Sequence, residues 1–333
     1  MHKELVHVYR GDFVESIHYG SAAVVDLNGE VMNSVGDPEF KTYIRSSAKP
    51  IQVLPVILSG AAEKYGFTPK ELAVMCASHS GEDFHTDTVR GILKKIAVEE
   101  DSLACGVHKP YHKKTAKALF EAGLEPGKIH CNCSGKHSSM LSLCAHHGWD
   151  LNDYVEIDHP VQQLMIDVMS EVCDIPRDDF WLGIDGCGVP VFGLPLKNMA
   201  LGFARLSKPD AFSSKYDAPI RTITAAMNAH PEQVAGTDRF CTDLMRTMGG
   251  KVVAKGGAQA VYCVGFLDKG IGLAVKIADG NSRGRAAVVL KIMEDMGLIN
   301  EDELNKLDKY RYPKVKNHRK QIVGELKTVF ELD

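Results

Sequence analysis

The chain has 333 residues, of which 44% are hydrophobic and 25% charged, and its formal net charge is −4. This composition predicts a soluble globular protein with a large core. Lys and Arg are dispersed, and only residues 306–320 are locally basic, which argues against a nucleic-acid partner. No apolar run approaches about 18 residues and the N-terminus lacks a signal-peptide pattern, so we expect a cytoplasmic protein without a membrane partner. The nine cysteines, an odd number, predict thiols or metal ligands rather than disulfides.

The N-terminal region predicts antiparallel strands. Residues 5–10 alternate in polarity, and residues 16–25 and 30–35 flank Asp26-Leu27-Asn28-Gly29, a hairpin turn signal. A largely apolar run then predicts a buried helix over about 47–62.

This predicted helix contains two prolines. Pro50 falls in the first turn, where its missing N–H costs little, whereas Pro55 predicts a kink or an early end.

The middle of the chain is mainly helical by its periodicity, with glycine-rich loops between the helices. The predicted helices cover residues 69–72, 87–97, 113–122, 138–147, 160–173, 218–229 and 238–248. A second hairpin follows, with strands over 260–267 and 271–278, and a helix over about 284–296 closes the main body.

The order of these elements predicts an α/β (α+β) fold, with an antiparallel sheet built from both chain ends and a helical lobe between them. We expect a single domain over 1–333, with a sheet lobe at about 1–45 and 250–325 and a helical middle at about 46–249. No internal repeat or low-complexity segment interrupts it.

A Ser-x-x-Lys pair, Ser46 and Lys49, lies at the start of the first predicted helix. Positions three apart share a helix face, so the hydroxyl and amine come within hydrogen-bond reach, and a neutral lysine can take the serine proton. An ordinary lysine titrates near pH 10.4, so this chemistry requires burial or a nearby cation. The alternative is an N-cap serine followed by a solvated lysine.

Serine β-lactamases and penicillin-binding proteins carry Ser-x-x-Lys, a small polar loop and Lys-Thr-Gly in this chain order. Here the third element is Lys255-Gly256-Gly257, and Ser-Asp-Asn is absent. These departures argue against a β-lactam enzyme.

Five motifs in matching order, over about residues 5–325, resemble the asparaginase II family, the group typified by the inducible rhizobial-type L-asparaginase. They are Arg45-Ser46-x-x-Lys49-Pro50, Ser78-His79-Ser80-Gly81-Glu82, Asn132-Cys133-Ser134-Gly135-Lys136-His137, Asp185-Gly186-Cys187-Gly188-Val189-Pro190 and Lys255-Gly256-Gly257-Ala258. The resemblance implies a serine-β-lactamase-like fold and hydrolysis of L-asparagine to L-aspartate and ammonia.

The resemblance also implies two Ser-Lys tandems, Ser46 with Lys49 and Ser78 with Lys255. We assign Ser46 as the nucleophile, Lys49 as its base, and Ser78 with Lys255 as the proton relay to the leaving ammonia. The reverse assignment stays open. For Ser78 and Lys255 taken singly, a loop hydrogen bond and a solvated surface position are the alternatives.

The resembled family places a zinc ion at positions that match Cys133, Lys136 and Cys187. Two thiolates suit Zn²⁺, and ligation by an amine nitrogen requires a neutral Lys136. No Cys-x-x-Cys or His-x-x-x-His spacing shows such a site, and each cysteine taken alone favours a small buried hydrophobe over a metal ligand. Such a metal would orient the substrate, because Ser46 already supplies a nucleophile.

Four further residues are candidates for binding the substrate. Arg45 or Arg239 would meet the α-carboxylate as a planar fork, Asp185 the α-amino group, and His137 another part of the substrate. Surface ion pairs for the arginines, and a capping or packing role for the histidine, are the alternatives.

Two other functions stay open from the sequence. One is a glutaminase or other small-amide hydrolase, because one methylene gives little discrimination in a pocket. The other is an amino-acid sensor without catalysis, which would have no need of the Ser-Lys residues. The family resemblance also implies a homodimer.

Overall fold

The computed structural model describes residues 1–333. It divides into two compact units, which are described separately. The sheet unit comprises Met1–Ser47, Leu194–Ala211 and Asp243–Asp333, and the helical unit comprises Ala48–Gly193 and Phe212–Thr242.

The strands are β1 Lys3–Arg10, β2 Phe13–Val25, β3 Val31–Val35, β4 Lys41–Tyr43, β5 Trp181–Ile184, β6 Pro190–Pro195, β7 Val252–Gly256, β8 Val261–Phe266, β9 Ile271–Ile277, β10 Lys314–Lys316 and β11 Ile322–Thr328.

The α-helices are α1 Lys49–Gln52, α2 Leu54–Leu58, α3 Ala61–Lys64, α4 Pro69–Met75, α5 Asp83–Lys95, α6 Lys113–Glu121, α7 Ser134–His147, α8 Pro160–Cys173, α9 Leu196–Ser207, α10 Ser214–Ala229, α11 Pro231–Val234, α12 Phe240–Met248, α13 Arg285–Asp295, α14 Glu301–Asn305 and α15 Asp308–Arg311. None of them is long and apolar enough to cross a membrane.

The sheet unit is built on one antiparallel sheet with the strand order β10-β11-β1-β2-β9-β8-β7, to which β3 adds by pairing with β2. Both predicted hairpins are confirmed, β2 with β3 and β8 with β9. The sheet joins strands from the two chain ends, since β2 pairs with β9 and β1 with β11. The predicted α/β fold with an antiparallel sheet is therefore confirmed.

Helix α9 packs directly on this sheet, where two glycines make room for its backbone. A Cβ at Gly272 would lie 1.8 Å from the carbonyl oxygen of Ala200, and one at Gly265 would lie 2.3 Å from that of Phe203. Both contacts are far shorter than any real carbon–oxygen contact, so these strand positions accept only glycine. Residues 194–211 therefore belong to the sheet unit, although sequence periodicity alone groups them with the helical middle.

The predicted long helix over 47–62 is broken into pieces. A 3₁₀ turn over Arg45–Ala48 is followed by α1 and α2, each with a proline in its first turn, Pro50 and Pro55. The second proline ends the first helix early, as expected from its missing donor. The result is a compact run of short helical turns, with Lys49 as the first residue of α1.

In the helical unit, α4 packs against α5, α7 and α10. The start of α7 approaches the end of α4 so closely that a Cβ at Gly135 would lie 2.0 Å from the carbonyl oxygen of Val74. This contact sets the N-terminus of α7 beside the segment that follows α4. This packing makes two distant segments of the chain, residues 76–82 and 131–137, neighbours in space.

Candidate active site

The predicted site residues fall in both units. Arg45, Ser46 and Lys255 lie in the sheet unit. The others, Lys49, Ser78, Cys133, Lys136, His137, Asp185, Cys187 and Arg239, lie in the helical unit.

In the helical unit, the loop after α4 carries Ser78 and is fixed through its backbone. The Ser78 N–H donates to the carbonyl oxygen of Val234 at 3.0 Å, and the His79 N–H donates to that of Asn132 at 3.2 Å. Ser78 itself is half-buried. The loop therefore presents a serine hydroxyl from a backbone that is held on both sides.

Lys49 is the central residue of the predicted site residues in the helical unit. Its side chain is only 1% exposed, and its Nζ contacts the Ser78 Oγ at 3.0 Å and the Cys133 Sγ at 3.2 Å. A third hydrogen bond runs to the carbonyl oxygen of Ala77. A buried amine that is enclosed by one hydroxyl, one thiol and one carbonyl is placed to exchange a proton with the hydroxyl.

Cys133 and Cys187 meet beside a second buried amine. The Lys136 Nζ lies 3.1 Å from the Cys187 Sγ, and the two thiols are themselves hydrogen-bonded. Asp185 lies at the edge of this group, with its carboxylate 3.9 Å from the Cys187 sulfur. The structure thus brings together the three residues predicted to bind metal.

The charges of this group are coupled. Hydrogen bonds from the Cys131 and Cys187 thiols, together with the neighbouring amines, hold the pKa of Cys133 well below its usual range. The bond to Cys133 and burial raise the pKa of Cys187. Burial alone would lower the pKa of Lys136, but the adjacent Cys187 and Cys133 sulfurs raise it instead. Both shifts favour the charged forms, a Cys133 thiolate and a Lys136 ammonium.

The donor set fits a zinc ion in its chemistry. No group of three or more His, Cys, Asp or Glu side chains is placed to hold a metal, so two sulfurs alone do not complete a site. The Lys136 nitrogen supplies a third donor that already contacts one of the sulfurs. Binding of a metal by all three requires loss of the proton from the lysine, as metal ligation generally does.

His137 is buried next to this group and has one unused ring nitrogen. Its Nδ1 lies 2.6 Å from the Tyr154 hydroxyl, which also accepts a hydrogen bond from the Ala104 N–H. Its Nε2 has no hydrogen-bond partner. Burial, with help from the Lys136 charge, lowers the pKa of His137 to about 3, so the ring is neutral at pH 7. An unsatisfied buried nitrogen is the kind of group that a bound molecule satisfies.

In the sheet unit, the turn that bears Ser46 packs on the segment after Lys255. The Ser47 Oγ donates to the carbonyl oxygen of Lys255 at 2.8 Å, and a Cβ at Gly257 would lie 2.8 Å from the carbonyl oxygen of Ile44. Lys255 is 1% exposed, and its Nζ donates to the carbonyl oxygen of Gly256 at 2.8 Å. This close packing explains the second glycine of the Lys-Gly-Gly motif, Gly257.

Arg45 opens this turn with a backbone φ of +52°, a conformation that is costly for a residue with a side chain. Ser46 follows it and is half-buried. A left-handed residue held in place beside a predicted nucleophile is typical of a functional turn.

Arg239 lies over the ring of Tyr111, with its guanidinium carbon 5.7 Å from the ring centroid. Tyr111 in turn stacks on His108 at 4.8 Å, and the His108 Nε2 accepts a hydrogen bond from the Asn132 N–H at 2.9 Å. Sequence reasoning missed Tyr111 and His108, which lie in a loop between two helices. The one signal in the sequence that could have identified them is the presence of aromatic rings in an otherwise polar loop.

A sequence model described as L-asparaginase II matches residues 6–328. No curated protein matches the chain in sequence.

Solved structures resemble this fold only distantly. One is Mglu in its native form in 4.3 M NaCl, 13% identical over 85% of this chain with a TM-score of 0.38, and this chain spans 62% of its length. A second is Mglu in its tris and glutamate form, 12% identical over 85% of this chain and 60% of its own, with a TM-score of 0.40. A third, described as a candidate beta-lactamase from Bacteroides dorei DSM 17855, is 11% identical over 83% of this chain and 93% of its own, with a TM-score of 0.38.

The family match covers all five motifs and nearly the whole chain. This protein belongs to the L-asparaginase II family.

Proposed function

We propose that this protein is an L-asparaginase, which hydrolyses the side-chain amide of free L-asparagine to L-aspartate and ammonia. The observation that supports it most is the buried Lys49 amine, which contacts the Ser78 hydroxyl at 3.0 Å within the segment that matches the family. A lysine paired with a serine in this way is the arrangement of an activated nucleophile.

The proposed reaction proceeds through an acyl-enzyme. The serine oxygen attacks the amide carbon, and its proton passes to a neutral lysine amine. The tetrahedral intermediate then collapses, the C–N bond breaks, and the leaving nitrogen takes up a proton and departs as ammonia. Water attacks the resulting ester, the serine regains its proton, and L-aspartate is released.

Lys49 has the contacts that such a base needs. As a neutral amine it donates to the carbonyl oxygen of Ala77 and to the sulfur of Cys133, and it accepts the proton of the Ser78 hydroxyl. As an ammonium it donates to all three. Both protonation states are thus satisfied by the same neighbours, which favours a reversible proton transfer.

Two assignments of the nucleophile follow. The sequence-based assignment makes Ser46 the nucleophile with Lys49 as its base, and makes Ser78 with Lys255 the proton relay. The observed bond between Lys49 and Ser78 supports the reverse assignment, in which Ser78 attacks. Both assignments require Lys49.

Recognition of a free amino acid requires charged groups that are already in place. We propose that Arg45 or Arg239 binds the α-carboxylate and that Asp185 binds the α-amino group. We propose His137 as a further contact, because its Nε2 is buried and without a hydrogen-bond partner.

We also propose that Cys133, Lys136 and Cys187 hold a zinc ion. When bound, such an ion would supply a positive charge that orients the substrate. The ion would be bound by the Cys133 thiolate, and by Cys187 and Lys136 after each of them loses a proton.

Ammonia release from L-asparagine and L-glutamine, measured side by side, tests the proposal. We expect release from L-asparagine that disappears in Ser46→Ala if Ser46 is the nucleophile, and in Ser78→Ala if the reverse assignment holds. Ser59→Ala is the matched control, because its hydroxyl only accepts a bond from the Ala61 N–H at a short helix.

Each other outcome has a defined meaning. Faster release from L-glutamine would redirect the proposal to a glutaminase. If a folded, zinc-loaded protein releases ammonia from neither amide, the amidase proposal is wrong and an amino-acid sensor is favoured.

A further inference from the structure

The loop that carries Arg239 is held by a buried carboxylate that no catalytic step requires. Glu82 is 7% exposed. Its Oε1 accepts a hydrogen bond from the Thr237 N–H at 2.8 Å, and its Oε2 accepts one from the Thr237 hydroxyl at 2.7 Å. Its second oxygen also lies 3.7 Å from the His112 ring. One carboxylate thus binds both the backbone N–H and the hydroxyl of Thr237.

The loop is held in an unusual conformation. Gly236 has a φ of +117° and Asp238 a φ of +55°, on either side of Thr237. A Cβ at Gly236 would lie 2.6 Å from the Ser80 Oγ and 2.7 Å from the Glu82 Oε1. Left-handed residues persist only where the surroundings enforce them, and here Glu82 supplies the enforcing contacts.

This loop leads directly into the stack on Tyr111. Arg239 is the second residue after Thr237 and lies over the Tyr111 ring. Tyr111 stacks on His108, which is hydrogen-bonded to the backbone of Asn132, the neighbour of Cys133.

Glu82 belongs to the loop that presents Ser78. The same short segment is bonded to the Arg239 loop at a second point, where the Ser80 Oγ donates to the carbonyl oxygen of Ala235 at 2.8 Å. Glu82 therefore links the serine-bearing loop to the arginine-bearing loop. A guanidinium that must meet a carboxylate as a planar fork depends on such a fixed geometry.

We propose that Glu82 is a positioning residue that holds Arg239, through Thr237, where it binds the α-carboxylate of the substrate. This inference rests on the proposed amidase function and adds a determinant of substrate class, α-amino acid amides over simple amides. A purely structural role is the competing explanation, since Glu82 also precedes α5 as its N-cap residue.

The test compares two amides that differ only in the group Arg239 would bind. The substrates are L-asparagine and 3-aminopropanamide, which is asparagine without its α-carboxylate. In Glu82→Ala we expect kcat/KM for L-asparagine to fall about 10- to 100-fold, mainly through KM, because a displaced binding group costs this much. The value for 3-aminopropanamide should change less than about threefold, since that substrate does not use the arginine.

A conservative variant and a double mutant separate positioning from folding. In Glu82→Gln the amide oxygen can still accept the Thr237 N–H and the amide N–H can donate to the Thr237 hydroxyl, so we expect activity within about threefold of wild type. In an Arg239→Gln background, Glu82→Ala should add less than about twofold, because the group it positions is already gone.

Three results would overturn the inference: an equal loss for both substrates, an effect of Glu82→Ala that is fully additive with Arg239→Gln, or no effect at all. If the wild-type protein hydrolyses neither amide, the amidase proposal fails by itself. The inference is then decided by calorimetric binding of L-aspartate and β-alanine, which is aspartate without its α-carboxylate. A selective loss of L-aspartate binding in Glu82→Ala supports it, and equal losses or no binding of either ligand overturn it.

Discussion

Lys49 contacts the hydroxyl of Ser78 across 3.0 Å, although 29 residues separate them in the chain. Lys49 is the first residue of α1, and Ser78 lies in the loop after α4, whose backbone is held by hydrogen bonds to Val234 and Asn132. A buried amine against a serine hydroxyl gives Lys49 a direct contact with a candidate nucleophile.

Replacement of Lys49 should abolish most of the activity. In Lys49→Met the side chain keeps its length and loses its proton-accepting nitrogen, so kcat/KM for L-asparagine should fall about 10²- to 10⁴-fold. Lys64→Met, at an exposed position of α3, is the control and should have wild-type activity. Steady-state ammonia release measures both. A loss below tenfold in folded Lys49→Met would remove this residue from the chemistry.

Metal removal should weaken substrate binding and leave the fold intact. If Cys133, Lys136 and Cys187 hold an ion that orients the substrate, dialysis against a chelator should raise KM about tenfold, and added Zn²⁺ should restore it. The thermal midpoint of the chelated protein should drop by only a few degrees. Complete unfolding on chelation would instead identify a structural zinc protein.

The contact between α4 and α7 leaves no space for a side chain at Gly135. A Cβ there would lie 2.0 Å from the carbonyl oxygen of Val74, so Gly135→Ala must shift a backbone and should cost about 1–3 kcal/mol of unfolding free energy. The shift also displaces the start of α7, which contains Lys136 and directly follows Cys133, so activity should fall as well.

Gly91→Ala is the matched control for this prediction. Gly91 lies within α5, and its added Cβ would come no closer than 3.6 Å to the Glu71 carboxylate. Because alanine favours a helix over glycine by about 1 kcal/mol, this variant should be as stable as wild type or more so. Urea unfolding measures both, and equal destabilisation of the two variants would contradict the account of Gly135.

The protein should lose stability in mild acid through buried histidines. Burial lowers the pKa of His85 to about 4, although its bond to the carbonyl oxygen of Glu232 and the nearby Glu82 partly oppose this. The unfolded chain, with a histidine pKa near 6.5, binds more protons between about pH 6.5 and pH 4. Stability therefore falls as pH falls through this window, by about 3 kcal/mol from His85 at pH 4.

Urea midpoints from pH 7.5 to pH 4.5 measure this effect, with His85→Gln as the comparison. The variant should have a shallower pH dependence. His79 stacks on His85 at 4.9 Å, and burial lowers its pKa well below the usual range. We therefore expect part of the pH dependence of stability to remain in His85→Gln, because His79 still takes up a proton on unfolding. Identical slopes in the two proteins would show that His85 does not titrate on unfolding.

Local signals in the sequence predicted much of the fold. The Asp26-Leu27-Asn28-Gly29 turn gave the first hairpin, and the helix predicted at 160–173 has the bounds of α8. Strands β10 and β11 were missed, because residues 314–328 are mostly basic and polar and show no regular apolar face of their own. Their strand form depends on sheet pairing, of β11 with β1 and of β10 with β11, which only the folded chain supplies.

The site was predictable as a set of residues and less so as a set of contacts. The five motifs identified the thiols and amines that meet in the helical unit. The i, i+3 spacing of Ser46 and Lys49 gave no indication that Lys49 contacts Ser78, because that contact depends on tertiary packing. The proposed role of Glu82 could not be predicted from the sequence either, because its partner Thr237 lies 155 residues away.

The most direct test of the proposed mechanism is rapid-quench mass spectrometry of the protein during turnover of L-asparagine. The mechanism predicts a transient mass increase of one aspartyl group, mapped to the peptide of Ser46 or of Ser78 and absent in Lys49→Met. The mapped serine identifies the nucleophile. Steady ammonia release with no adduct on either serine, at any quench time, would contradict covalent catalysis by a Ser-Lys pair.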